Sequence, residues 1–242
     1  MGRTHIVKSY DEELQHLNRT IMEMGGATEA QIAAAVDAVL KRDTERAQQI
    51  IHDDDKIDAL NYQVDTQATR LLALRQPMAA DLRSIVGALK ISADLERIAD
   101  YAANIAKRVL PLSNVTPPRP VSTVPRMSRR VEIMLKDVLD AFVERDAEKA
   151  IRVWQADEEV DDMYVSLFRE LLTYMMEDPR HITPCAHLLF IAKNLERMGD
   201  HITNISETIY FLVHGTRLRE HRTKGGPGYD HDLFDQTKAT KS

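Results

Sequence analysis

Four pairs of acidic residues repeat one spacing along the chain: Asp54 with Asp58, Glu96 with Asp100, Asp157 with Asp161, and Glu196 with Asp200. Residues four apart are neighbours on a helix surface, and like charges placed there destabilise it by a few tenths of a kcal/mol per pair. Such pairs at matched positions need a reason. Oxygen-rich clusters suit a hard or borderline cation such as Mg, Mn, Fe or Ca, which turns the repulsion into attraction. Asn104 and Asn204, four residues beyond Asp100 and Asp200, extend two of the rows with amide oxygens. The same rows also read as solvated acidic faces screened by Arg97, Arg197 and Lys193. Histidine adds little, because Glu13 and His16 supply one Glu-x-x-His spacing whereas di-iron carboxylate bundles need two facing inward.

Other catalytic arrangements are missing from the sequence. It has no Gly-x-x-x-x-Gly-Lys-[Ser/Thr] loop, no Gly-x-Ser-x-Gly elbow and no His-Glu-x-x-His. Cys185, just before the apolar run Leu188, Leu189 and Phe190, reads as a small buried hydrophobe. Met175 and Met176 read as core fillers, and Trp154 and Tyr164 as packing residues. A net charge of -6 leaves no basic surplus to neutralise nucleic-acid phosphates, so DNA or RNA is a poor partner. The single cysteine rules out an internal disulfide and favours a reducing compartment. Residues 1–11 hold no signal-like apolar run, and no window approaches the roughly 18 apolar residues of a membrane span. The expectation is a cytoplasmic protein that meets membranes only through partners.

The elements that must carry these residues are helices. Aromatic residues are only 5 % of the chain, too few for a sheet-rich protein, and Ala, Leu, Ile, Glu, Asp and Arg dominate. An internal repeat organises them. The run from Asp37 to Ala47 returns from Asp140 to Ala150, displaced by 103 residues. The run from Asp94 to Ile105 returns from Asn194 to Ile205, displaced by 100 residues. Two matches in the same order indicate duplication into two units of about 100 residues, too few and too long for a solenoid. The proline-dense stretch from Pro111 to Pro125 cannot continue a helix and separates them.

Each unit reads as three helices: 11–42, with an irregularity at Gly25 and Gly26; a second that follows Asp43 as N-cap and stops before Pro77; and a third over 78–109. Ile57, Leu60, Val64 and Leu71 form the seam of the second, and Leu95, Ile98, Ala102, Ile105 and Val109 that of the third. Val160, Met163, Leu167 and Leu171, then Leu195, Met198, Ile202, Ile205 and Ile209, repeat the plan. Long helices with narrow seams and short turns pack as antiparallel bundles. The predicted fold is therefore all-α, two pseudo-symmetric three-helix bundles: residues 1–112, a linker over 113–126, residues 127–216, and a polar tail over 217–242. Glu96, Asp100 and Asn104 lie opposite the third-helix seam and are expected to face outward, while Asp54 and Asp58 flank their seam.

Both third-helix motifs, Asp94 to Asp100 and Asn194 to Asp200, resemble the signature of the PhoU family. So do the turn from Arg75 to Arg83, the stretch Met22 to Gly26, and Leu172 to Asp178. The resemblance implies a non-enzymatic negative regulator of the phosphate-starvation response and of high-affinity phosphate uptake. Its partners would be the ATPase subunit of the phosphate ABC transporter and the phosphate-sensing histidine kinase. It also implies multinuclear iron or zinc clusters in some members, held through [Glu/Asp]-x-x-x-Asp motifs, which map onto the four pairs named above. Ala99 stands where many members have glycine and Tyr101 where many have histidine, so the first unit is the less typical half and should differ in metal occupancy. A homodimer is expected as the common state of soluble helical proteins, although no feature of the sequence demands it. The competing readings are a metal-dependent hydrolase or oxidase built on the same carboxylates, and a plain adaptor without metal.

Overall fold

The computed structural model of the chain describes residues 2–75, 77–113, 115 and 122–218. Every regular element among them is helical. Helices α1 (Gly2–Lys41), α2 (Thr44–Arg75) and α3 (Ala79–Ala106) pack on one another, and a short α4 (Val109–Leu112) follows. Helices α5 (Thr123–Glu144), α6 (Ala147–Glu177) and α7 (Ile182–His214) form a second mutually packed set. A 3-10 turn, Pro179–His181, leads into α7.

The turns between first and second helices are duplicated in detail. Arg42 and Arg145 both take the left-handed conformation, with φ of 57° and 52°. The amide of Asp43 then reaches back to the carbonyl of Ala38, and that of Asp146 to Ala141, each at 3.0 Å. These are Schellman caps in which arginine occupies the position usually given to glycine. Each cap hands over to an N-cap: Asp43 Oδ1 accepts from the amide of Arg46, and Asp146 Oδ1 from that of Lys149, both at 2.9 Å. The second helix thus starts after Asp43 as the sequence predicts. Asp178 caps the 3-10 turn that precedes α7, and the Arg180 side chain and amide hold its carboxyl down to about 2.

Several boundaries differ from the sequence reading. Helix α1 runs unbroken through Gly25 and Gly26. Gly25 is buried instead for room: a Cβ there would meet the Leu139 side chain of α5 at 2.6 Å. The third helix stops at Ala106, with a turn at Lys107 and Arg108 before α4. Helix α5 opens at Thr123 inside the expected linker, with Pro125 in the first turn, where a missing amide hydrogen costs nothing. Residues 114 and 116–121 of that linker, and the expected tail from residue 219 onward, lie outside the described residues.

The apolar seams are buried. Leu95, Ile98, Ala102, Ile105 and Val109, and likewise Leu195, Met198, Ile202, Ile205 and Ile209, are sealed from solvent. Leu60 and Met163, equivalent positions in the two copies, are half-buried and pack against the core from its edge. Met175 fits the expected core role, but Met176 is 86 % exposed and does not. One apolar cluster runs through both bundles, because α3 packs along α7 and α1 along α5.

Truncation inside this shared core should be costly. Ile98→Ala should lower the unfolding free energy by about 2–5 kcal/mol in urea titration, whereas Val143→Ala, on an exposed face of α5, should stay within about 0.5 kcal/mol.

Candidate functional site

In the first bundle, α2 carries Asp54 and Asp58, and α3 carries Glu96 and Asp100, at the junction of the two helices. The charges feel one another there. Burial pushes the Asp54 carboxyl above its ordinary 3.8, and the charges of Asp100 and Asp58 push it further, against a hydrogen bond from Gln31. Burial likewise raises Glu96 above 4.5, with Asp100, Asp58 and Asp54 adding to the effect and Arg97 opposing it. Arg97 bridges the row, with Nη1 donating to Asp100 Oδ2 at 3.1 Å and Nε lying 3.6 Å from Glu96 Oε2. Asn104 Oδ1 accepts from Lys107 Nζ at 3.0 Å.

The expected outward orientation is corrected in part. The Glu96 and Asp100 side chains keep 23 % and 37 % of their exposure. A third helix in this assembly is packed by α1, α2 and α7 together, so it has a second buried face of small residues, Ala99, Ala103 and Ala106. The acidic row is left in the remaining strip beside α2, half-shielded. Glu196 is more enclosed: Lys193 Nζ holds its Oε1 at 2.6 Å, and its Oε2 is shut off from solvent without a hydrogen-bond partner.

Asp157 departs most from the expectation, being fully buried on α6. It lies against Gly199 of α7, where any Cβ would collide with its Oδ1. The first copy has Ala99 at the equivalent position, so a carboxylate placed there as Asp157 is would meet a methyl group. Asp54, the counterpart of Asp157, remains half-buried, and Gln31 Nε2 donates to its Oδ1 at 2.9 Å. The residue equivalent to Gln31 in the second copy is Met134, which has no amide to offer. Gln31 was legible as a polar residue on the buried face of α1, between Thr28 and Ile32, but only its packing against α2 gives it a partner.

A second polar cluster joins the bundles and was not anticipated. Asp94 Oδ1 of α3 lies 2.8 Å from His201 Nδ1 of α7 and accepts from Asn204 Nδ2 at 3.3 Å. His201 also packs on Tyr101, its own counterpart in the first copy, with ring centroids 5.6 Å apart. Asn204 therefore ties the halves together rather than extending the Glu196–Asp200 row alone. Trp154 is buried as expected, and its indole N–H donates to Glu207 at 3.2 Å. Burial also raises the Cys185 thiol, which keeps it protonated and inert.

The donor chemistry of the first quartet fits a hard or borderline dication, since four carboxylates share one strip and Arg97 and Gln31 offset only part of their repulsion. Among the described residues no three His, Cys, Asp or Glu side chains converge on one point as they stand. Coordination would require the carboxylates to turn toward each other. In the second bundle Asp161, Glu196 and Asp200 are the donors nearer the surface, with Asp157 withdrawn beneath Gly199.

The duplicated architecture and its paired motifs coincide with a known domain. The PhoU domain matches residues 21–109 and again residues 124–209. The chain belongs to the PhoU family. It is 51 % identical over 221 residues to the phosphate-specific transport system accessory protein PhoU homolog of Caulobacter vibrioides, covering 91 % of this chain and 96 % of that one. The homolog of the same name in Rhizobium meliloti is 48 % identical over 225 residues, covering 93 % of this chain and 95 % of its own. The crystal structure of PhoU from Pseudomonas aeruginosa superimposes with a TM-score of 0.83 at 40 % identity, over 86 % of this chain and all (100 %) of that one. The phosphate transport system regulatory protein PhoU from Streptococcus pneumoniae does so at 0.82 and 32 % identity, over 87 % of this chain and 100 % of its own. These PhoU proteins are accessory and regulatory proteins by name, not enzymes. No helix among the described residues is long and apolar enough to cross a membrane.

Two measurements test this geometry. Gly199→Ala should cost about 1–3 kcal/mol in urea unfolding, because a methyl must displace the Asp157 carboxylate from a packed site; an unchanged midpoint would show that the carboxylate has room to move. The second concerns pH. Asp54 and Glu96 are raised on folding, so their contribution to stability is complete below the unfolded-state values and is lost as pH rises through the folded-state ones. Asp58→Asn removes a like charge from both. At neutral pH it should stabilise metal-free protein by a few tenths of a kcal/mol, and the gain should vanish as pH falls toward about 4.

Proposed function

We propose that this PhoU family member is a negative regulator of the phosphate-starvation response and of high-affinity phosphate uptake. It is an accessory protein, not an enzyme, and its role lies in phosphate transport. In this reading it works in the cytoplasm as an adaptor between the ATPase subunit of the phosphate ABC transporter and the phosphate-sensing histidine kinase, and it reaches the membrane through them. The observation that carries the reading is the double PhoU domain, together with 51 % identity over 91 % of the chain to an accessory protein of phosphate-specific transport. A homodimer is the expected assembly.

The two acidic strips are the docking surfaces of this reading. Asp54, Asp58, Glu96 and Asp100, with Asn104, would hold metal in the first bundle; Asp161, Glu196 and Asp200, with Asp157 and Asn204 behind them, would do so in the second. Iron or zinc is the first choice, with Mg, Mn or Ca as alternatives. A bound ion would supply positive charge that offsets the carboxylate repulsion and an open coordination position for a partner's side chain. The raised Asp54 and Glu96 support this assignment, because such groups keep part of their repulsion until a cation or a basic partner offsets it.

The combined variant Glu96→Ala, Asp100→Ala, Glu196→Ala and Asp200→Ala should keep the helical circular dichroism of the parent. Elemental analysis of protein purified without chelator should show metal in the parent and its loss in the variant, and reporters of the phosphate regulon should be derepressed in phosphate-replete cells. Full metal content with normal repression would remove these residues from the function. Repression that depends on the residues, with no metal in either protein, would identify a metal-free adaptor.

A further inference from the structure

The duplication gives the α3–α7 packing two equivalent sides, and their residues have diverged in part. The first holds a groove of about 870 Å³ that includes Asn61, Lys90, Ala93, Asp94, Glu207 and Thr208. Applying the repeat displacements to those positions gives Tyr164, Phe190, Lys193, Asn194, Lys107 and Arg108. Asn61 and Ala93 thus become a tyrosine and a lysine, Glu207 and Thr208 a lysine and an arginine, and Lys90 an aromatic ring, while Arg97 of the groove keeps its cation at Arg197. Because the scaffold is the same, the packing of α3 on α7 does not require the change.

The cations on the second side are built into a row. Arg108 lies over the Phe190 ring at 5.0 Å, Lys193 over Tyr164 at 5.2 Å, and Arg197 over Tyr101 at 5.9 Å. Phe190 is 54 % exposed, so this is open surface and not core. Lys193 is matched by Glu196, but Arg108 and Arg197 have no carboxylate partner among the described residues, in a chain whose net charge is -6. Residues 190, 193 and 197 stand about one turn apart on one face of α7, so the row extends roughly 10 Å along the helix. A single small anion spans only part of it.

We propose that this face, formed by Arg108, Lys193, Arg197, Phe190, Tyr164 and Tyr101, docks an acidic helical segment of a protein partner, with carboxylates at one-turn spacing along the cation row. It deepens the adaptor reading by naming the chemistry of one partner, and it borders the second acidic strip, where Lys193 meets Glu196. The rings fix the cations in place, which lowers the ordering cost of binding, and apolar side chains between the carboxylates of the segment would lie on Phe190.

The test is fluorescence anisotropy of the full chain with a labelled, Ala-rich helical peptide carrying Glu at one-turn intervals. Binding should weaken steeply as ionic strength rises from roughly 0.05 to 0.3 M. Arg197→Gln, an exposed change, should weaken it severalfold, and Arg197→Gln with Arg108→Gln about tenfold or more, with circular dichroism unchanged. Lys90→Gln, in the groove on the other side, should have no effect. The proposal is overturned if the peptide does not bind, if the arginine variants bind it like the parent, if Lys90→Gln weakens it as much, or if a single-stranded oligonucleotide outcompetes it through the same arginines. These outcomes are read without phosphate-regulon expression or metal content, so failure here leaves the regulatory reading intact.

Discussion

The constraint on which the rest depends is the burial of the third helix of each repeat on more than one side. Helix α3 meets α1 and α2 within its own bundle and α7 across the junction, and α7 is enclosed by α5, α6 and α3 in the same way. A helix so placed cannot have the single apolar stripe and broad polar face of a surface helix. Small residues, Ala99, Ala103 and Ala106, line a second buried face, while Gly87, Asp94 and Tyr101 meet α7. What remains for charge is a narrow strip beside the second helix. The acidic motif is therefore concentrated, half-shielded and electrostatically uncomfortable, unlike a freely solvated row.

Within that frame, single substitutions between the copies have clear physical effects. A methyl group separates the Asp54 and Asp157 environments: Gly199 admits a carboxylate into the α6–α7 contact, and Ala99 keeps one out. The excluded Asp54 is steadied by Gln31, whose counterpart is a methionine. Tyr101 and His201, equivalent by repeat, meet at the junction, and only the histidine side has an aspartate to bind. The lesser typicality of the first copy at Ala99 and Tyr101 thus has structural content at both positions.

The same junction produces two surfaces of unlike composition. On one side a groove carries Asp94, Glu96 and Glu207 beside Lys90, Arg97 and Arg217; on the other, arginine and lysine sit over aromatic rings. A pseudo-symmetric protein with unlike surfaces can engage two unlike partners without two domains of different fold.

The sequence by itself determined the helical class, the duplication, the apolar seams and the family, because these rest on local spacing and on internal repetition. It also determined the N-caps at Asp43 and Asp146, since an aspartate before a helix satisfies amides whatever surrounds it. Only the tertiary structure decided how far the carboxylates face solvent, since periodicity on one helix cannot tell how many neighbours that helix will have. The same holds for the burial of Asp157, the unbroken course of α1 through Gly25 and Gly26, and the Asp94–His201–Asn204 clasp. Each depends on contact between residues remote in sequence, where the deciding quantity is the space left by a side chain on another helix.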